Sequence, residues 1–272
     1  MVRNRIQRHG RAVFGSAPAV MGHRGLGCGV VGGHHENTLG SFTEAVRSGT
    51  PWVEVDVRRT GDDTLVVAHD AVLPDGTRFA DITGADADRL GTLRFRTLLE
   101  ALPDGIGVNV DLKPAMEDCL RPPQRTTAAM LAPVVAAEAG RRPLLVSSFD
   151  PAALRLLRAG APQVPLAWLT WDEFPVDLAV AGCAHMDVDV LGLHEGSLPR
   201  DRAGTGVDLP TVERVASLVH RCGRSLLVWC PEAVTARALL DAGADAVVVD
   251  DVPGALALTG PADPPLAVRQ EG

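Results

Sequence analysis

Pro51-Trp52-Val53-Glu54-Val55-Asp56-Val57-Arg58-Arg59-Thr60 reads as a β-strand with two unlike faces. Side chains alternate along a strand, so Trp52, Glu54, Asp56 and Arg58 share one face and Val53, Val55 and Val57 the other. The valine face suits packing against helices. On the opposite face, two carboxylates one pleat apart resist burial without a cation, because unpaired buried charge is costly. Glu54 and Asp56 therefore read as half of an oxygen-rich metal site, the plainer alternative being solvated acids on an exposed strand.

Outward from this strand, strand and helix patterns alternate with short connections. Further strands are expected at 19–22, 64–68, 107–113, 143–148, 164–170, 184–193, 225–229 and 246–249. Helices are expected at 39–49, 93–102, 126–139, 152–159, 176–181, 210–222 and 231–242. Pro133 should kink the third of these. Residues 25–33 form a glycine-rich loop, His34 and His35 read as loop residues, and 71–92 as irregular. The alternation predicts a parallel sheet wrapped in helices, and about eight strand–helix units match a TIM (β/α)8 barrel in a single domain. An open doubly wound sheet is the alternative. Residues 1–18 read as a flexible leader, 19–258 as the barrel and 259–272 as a polar tail.

Of the 272 residues 46% are hydrophobic, enough for one large core. A net charge of −8, 4% aromatics and no tyrosine leave neither a basic field nor a stacking platform for nucleic acid. The five cysteines form no C-x-x-C pair, which disfavours a disulfide framework or a zinc cluster and suits a reduced, cytoplasmic setting. No run approaches the roughly 18 apolar residues of a membrane span, and no signal-peptide pattern follows the basic start. Nothing in the composition sets an oligomeric state.

Chemistry in such barrels gathers at the C-terminal strand ends. There the sequence places His23-Arg24, Glu54, Asp56, His69-Asp70, Asp111, Lys113, Ser147-Ser148, Trp229 and Asp250. Asn109, Asp111 and Lys113 alternate with Val110 and Leu112, so Asp111 is the candidate third carboxylate beside Glu54 and Asp56. Three hard oxygen donors suit Mg²⁺ or Ca²⁺ rather than zinc. The alternative is an internal salt bridge from Lys113 to Asp111 or Glu54. His23 and His69 read either as structural histidines or as an acid–base pair. Arg24, as a fork, and Lys113, as a point charge, suit a phosphate. Gly27-Cys28-Gly29-Val30-Val31-Gly32 fits a dinucleotide-binding G-x-G-x-x-G. The helix there starts near Asn37, after the glycines, which misplaces the N-terminus that should meet a pyrophosphate.

The ordered set His23-Arg24-Gly25, Glu36-Asn37-Thr38, Glu54-Val55-Asp56, the 64–70 run, Asn109 to Lys113, Val146 to Phe149, Val228-Trp229 and 243–250 resembles the glycerophosphodiester phosphodiesterase family. The resemblance spans about residues 19–255. It implies a TIM barrel with a divalent metal, Mg²⁺ or Ca²⁺, hydrolysing glycerophosphodiesters to glycerol phosphate and an alcohol. It assigns acid–base roles to His23 and His69, metal ligation to Glu54, Asp56 and Asp111, and phosphate contact to Arg24 and Lys113. Trp229 is an expected apolar wall of the substrate pocket. The sequence departs from the family pattern in carrying His35 where proline is usual, and Asp111 where the third ligand is usually glutamate. The segment after Asp70 is short and poorly matched. Two other functions are weighed: a phospholipase D-like enzyme on lysophospholipid or sphingolipid, marked by an exposed apolar rim, and a phosphodiester-binding barrel without catalysis.

Overall fold

A computed structural model describes residues 13–15 and 18–259. Most of the leader and nearly all of the tail expected from sequence lie outside the described residues. Within them the chain forms a closed barrel. Its strands are β1 (Ala19–Gly22), β4 (Trp52–Arg59), β6 (Gly107–Leu112), β7 (Leu144–Ser148), β8 (Leu166–Leu169), β9 (Val190–His194), β10 (Ser225–Trp229) and β11 (Ala246–Val249). Every neighbouring pair is parallel, and β1 pairs with both β11 and β4, which closes the cylinder. The doubly wound alternative is thereby excluded.

Alternation along the strands divides the interior into two layers. Met21, Trp52, Leu145, Ala167, Val190, Leu227 and Ala246 fill the barrel lumen. Val53, Val55, Val57, Val108, Val110 and Leu112 face outward with the helix residues. Those helices are α1 (Leu39–Arg47), α3 (Phe95–Ala101), α4 (Thr127–Glu138), α5 (Pro151–Gly160), α6 (Val176–His185), α7 (Leu209–Arg221), α8 (Ala233–Asp241) and α9 (Val252–Thr259). Side-chain caps set several of their starts: Thr38 accepts from Ser41 N, Thr126 from Ala129 N, and Asp150 from Ala152 N just ahead of Pro151. Helix α4 continues through Pro133.

Five local expectations are corrected. The 64–68 strand is β5 (Leu65–Val67), which pairs antiparallel with Val57–Arg59 and is not a barrel stave. His34 and His35 form β3 (His34–His35), paired with β2 (Val30–Val31) in a hairpin that takes up the glycine-rich stretch. The 71–92 segment holds a 3-10 turn at Phe79–Asp81 and the short helix α2 (Gly84–Arg89), closed by a Thr83–Asp86 capping box. Helix α6 extends to His185, so the following strand starts only at Val190. Phe14, expected in a loose leader, is buried edge-on against Trp52, ring centroids 5.8 Å apart.

Unequal strand lengths make room for the site. Strand β1 has four residues and β4 has eight, and only Trp52 and Val53 of β4 pair with β1. Beyond Val53 the main chain turns away at His23. Gly22 permits this turn, since a Cβ there would sit 1.8 Å from the Gly25 carbonyl oxygen. On its β1 side the Glu54–Asp56 stretch therefore faces this turn instead of a paired strand, while its other side keeps β6.

Candidate active site

The register of β4 against β6 sets Glu54 beside Asn109 and Asp56 beside Asp111. Their inward faces bring Glu54, Asp56 and Asp111 together, each at most 5% exposed, with one oxygen from each within 4.8 Å of the others. This is the trio expected from sequence. Burial, then Asp56 and Asp111, push the Glu54 carboxyl up to about 8, against the opposing pull of His23. Burial also raises Asp111, outweighing Lys113. Asp56 shifts the other way: burial opposes its charge, but Lys113, Asn37 and Arg24 together hold it below the ordinary aspartate value.

Two cations sit against this cluster. Lys113 Nζ lies 2.5 Å from Asp111 Oδ2 and 3.2 Å from Asp56 Oδ1. Arg24 Nε lies 3.3 Å from Asp56 Oδ2, while its Nη1 bonds Glu36 Oε1 at 2.7 Å. The Arg24 amide donates to Glu54 Oε2 at 2.9 Å, and Asn37 Nδ2 to Asp56 Oδ2 at 2.9 Å. Arg24 and Asn37 both hold positive φ, 52° and 56°. Such backbone geometry is rare for residues with a side chain and is found where a site demands it.

The cluster fits a hard divalent cation. Three buried carboxylates share the space, and Asp111 Oδ1 and Asn109 Oδ1 accept no hydrogen bond from any described residue. Buried oxygens without a hydrogen bond, beside a carboxyl pushed up to about 8, form a setting whose crowded negative charge a bound divalent cation would offset. All donors are oxygen, which suits Mg²⁺ or Ca²⁺.

Both expected histidines border the same pocket, together with Arg24, Glu54, Asp111, Lys113 and Trp229. His23 Nδ1 donates to Asp250 Oδ1 at 2.5 Å, leaving its Nε2 3.9 Å from Glu54 Oε2. His69 Nδ1 donates to Asp70 Oδ1 at 2.8 Å. Each ring thus directs Nδ1 to a carboxylate, which orients the ring and turns Nε2 away from that partner. Burial works against charged His23, but the Asp250 bond, Cys230 and Glu54 outweigh it and raise its pKa well above the histidine norm. Trp229 Nε1 donates to the Thr170 carbonyl at 3.2 Å, which turns the ring into a wall. Phe149 extends that wall edge-on at 5.5 Å and lies 5.1 Å from Lys113 Nζ.

Sequence reasoning gave no role to several of these groups. Asp250 closes the last strand, 227 positions after the histidine it holds. Cys230, at φ 58°, puts its sulfur 3.7 Å from His23 Nδ1. The rise from Asp70 to a partner of His69 had a signal in their adjacency; the Cys230 contact had none. His34 and His35 do not enter the pocket.

Residues 23–253 match the Glycerophosphoryl diester phosphodiesterase family. The sequence is 31% identical over 241 residues to the Mycobacterium tuberculosis protein named Probable glycerophosphodiester phosphodiesterase 2, covering 79% of this chain and 81% of that one. The fold is similar to the Thermotoga maritima glycerophosphodiester phosphodiesterase, with TM-score 0.65, 21% identity and coverage of 88% and 96%. It is also similar to an Oleispira antarctica phosphodiesterase in complex with the product sn-glycerol-3-phosphate, with TM-score 0.70, 23% identity and coverage of 89% and 97%.

Proposed function

The chain belongs to the glycerophosphoryl diester phosphodiesterase family and is a phosphoric diester hydrolase; from that premise we propose that His23 and His69 move the protons of the reaction beside a divalent cation held by Glu54, Asp56 and Asp111. The observation that carries this reading is a cluster of three buried carboxylates, two of which, Glu54 and Asp111, line one pocket with both imidazoles at the C-terminal mouth of the barrel. A cation bound there supplies Lewis-acid polarisation of a phosphoryl oxygen. Arg24 and Lys113 line the pocket and offset phosphate charge, Arg24 in two directions and Lys113 as a point. One histidine takes a proton from the nucleophile, either water or a neighbouring substrate hydroxyl. The other delivers a proton to the departing alkoxide as the phosphorus–oxygen bond breaks. With both Nδ1 atoms held by aspartates, Nε2 is the exchanging atom in each ring. Trp229 walls the substrate's apolar side. The products are glycerol phosphate and an alcohol, as the Oleispira complex suggests for this chemistry.

A cytoplasmic setting belongs to the same proposal and is supported by five free cysteines. No helix among the described residues is long and apolar enough to cross a membrane. The test is hydrolysis of glycerophosphodiesters with Mg²⁺ or Ca²⁺, with chelator, and in His23→Ala and His69→Ala. Each mutation and the chelator should lower turnover by about 10²–10⁴. Full activity in both histidine variants would remove the proposal. A second reading, with lysophospholipid as substrate, is favoured by exposed Val72, Leu90 and Trp171 at 38%, 56% and 57%. Product analysis on lysolipid against deacylated diester separates the two. Binding without turnover, the third function weighed from sequence, finds no support in a family of hydrolases.

A further inference from the structure

The catalytic pocket encloses only ≈ 90 Å³. Sites that bury a whole small ligand usually enclose about 300–1,000 Å³, so a diester centred here must extend beyond it. Lys113 and Phe149 are shared between this pocket and a neighbouring groove of ≈ 450 Å³. The groove is walled by Arg58, Pro114, Phe149, Asp150, Pro151 and Trp171. A second groove opens on the His69 side, but its aromatic ring, Phe79, is 4% exposed and offers no face.

The first groove has three features that act together. Trp171 stacks on Phe149, centroids 5.7 Å apart and planes within 10°, yet remains 57% exposed. A flat apolar surface is thus open to a ligand at the rim of the catalytic pocket. Arg58 spends Nε and Nη2 on the His69 carbonyl, at 2.8 and 2.5 Å, and its Nη1 has no partner among the described residues. Asp150 caps α5 through Oδ1, and its Oδ2 takes no hydrogen bond among them. The groove therefore offers one aromatic face, one free donor and one free acceptor.

We propose that this groove receives the alcohol moiety of the diester and selects a neutral ring polyol, a sugar or cyclitol, with Trp171 as its stacking surface. The proposal rests on the phosphodiesterase reading above. The C–H face of a ring polyol lies on an indole, while its edge hydroxyls both accept and donate, matching Arg58 and Asp150. Arg58 and Asp150 put one positive and one negative group on the same groove, and Asp56, Asp70 and Asp111 further offset the Arg58 charge, so a charged head group gains no net partner there. Neutral hydroxyls instead use both groups, accepting from Arg58 and donating to Asp150. Pro114 and Pro151 stiffen the two walls.

The test compares kcat/KM of the metal-loaded enzyme on glycerophosphoinositol and glycerophosphoethanolamine. The wild type should favour the inositol diester. Trp171→Ala should lower the inositol-to-ethanolamine ratio about tenfold, and Trp171→Phe should restore most of it. A merely structural role for Trp171 would lower both substrates together and leave the ratio in place. A wild-type preference for the ethanolamine diester, or a ratio in Trp171→Ala within about twofold of wild type, overturns the proposal. If the wild type hydrolyses neither diester with Mg²⁺ or Ca²⁺, the phosphodiesterase reading fails, and the groove is judged by calorimetric binding of glycerophosphoinositol. Affinity about tenfold weaker in Trp171→Ala then supports the groove, and equal affinity overturns it.

Discussion

At the scale of single residues, the site is organised by what each imidazole spends on its partner. Asp250 is half-buried and holds a His23 ring that is 12% exposed, whereas Asp70 is 80% exposed beside a His69 that is 40% exposed. The first contact orients firmly; the second competes with water. Asp250→Asn is expected to lower kcat about tenfold or more, and Asp70→Asn by less, with KM little changed in both. Steady-state kinetics on a glycerophosphodiester at neutral pH check this, and equal effects of the two changes would contradict it. That the histidines, the three acids and the two cations converge was legible in the sequence because each ends or lines a strand. The partners that tune them were not, because a contact such as His23–Asp250 exists only once the barrel closes.

Among the elements, the β4–β5 turn gives the clearest pH expectation. Asp63 sits there at φ 68°, hydrogen-bonded to Arg121 and, at 2.8 Å, to Arg125, with buried Arg59 3.5 Å away. Burial alone would raise its carboxyl, but the arginines outweigh this and lower it below the ordinary aspartate value of 3.8. A depressed folded-state value means that the stabilisation is complete above the unfolded value, near pH 4, and is lost as pH falls through the folded one. Asp63→Asn, which tolerates the same backbone, should cost about 1–2 kcal/mol at pH 7. The gap from wild type in denaturant melts should close progressively below about pH 4. Strand β6 supplies a packing expectation. Trp52 fills the lumen opposite Gly107, where an added Cβ would lie 2.2 Å from the indole. Gly107→Ala should destabilise by about 3 kcal/mol or more, read as a fall in melting temperature. Element existence was readable from periodicity, but direction was not: the 65–67 pattern is the same for a parallel stave and for the antiparallel β5. Helix α2 was missed because six residues carry too little apolar periodicity to announce a helix.

Across the whole molecule, crowding of acids at one mouth trades stability for a charge-hungry site. Glu54→Gln removes one of three buried carboxylates, so the metal-free variant is expected to melt no lower than the metal-free wild type. Wild type should gain about 2.7 kcal/mol at a hundredfold excess of Mg²⁺ or Ca²⁺ over Kd, and the variant much less at the same concentration. Thermal melts with and without the ion measure both, and a lower metal-free melt in Glu54→Gln would count against electrostatic crowding. By itself the sequence determined the alternation of strand and helix, the inward face of each stave and the identity of the acids, imidazoles and cations, since all of these follow from local periodicity and side-chain chemistry. The tertiary structure alone decided how the strands meet. A short β1 beside a long β4 opens the space at Glu54–Asp56, and the register of β4 on β6 lays Asp56 beside Asp111. Register and closure are relations between segments far apart in the chain, and no local pattern carries them.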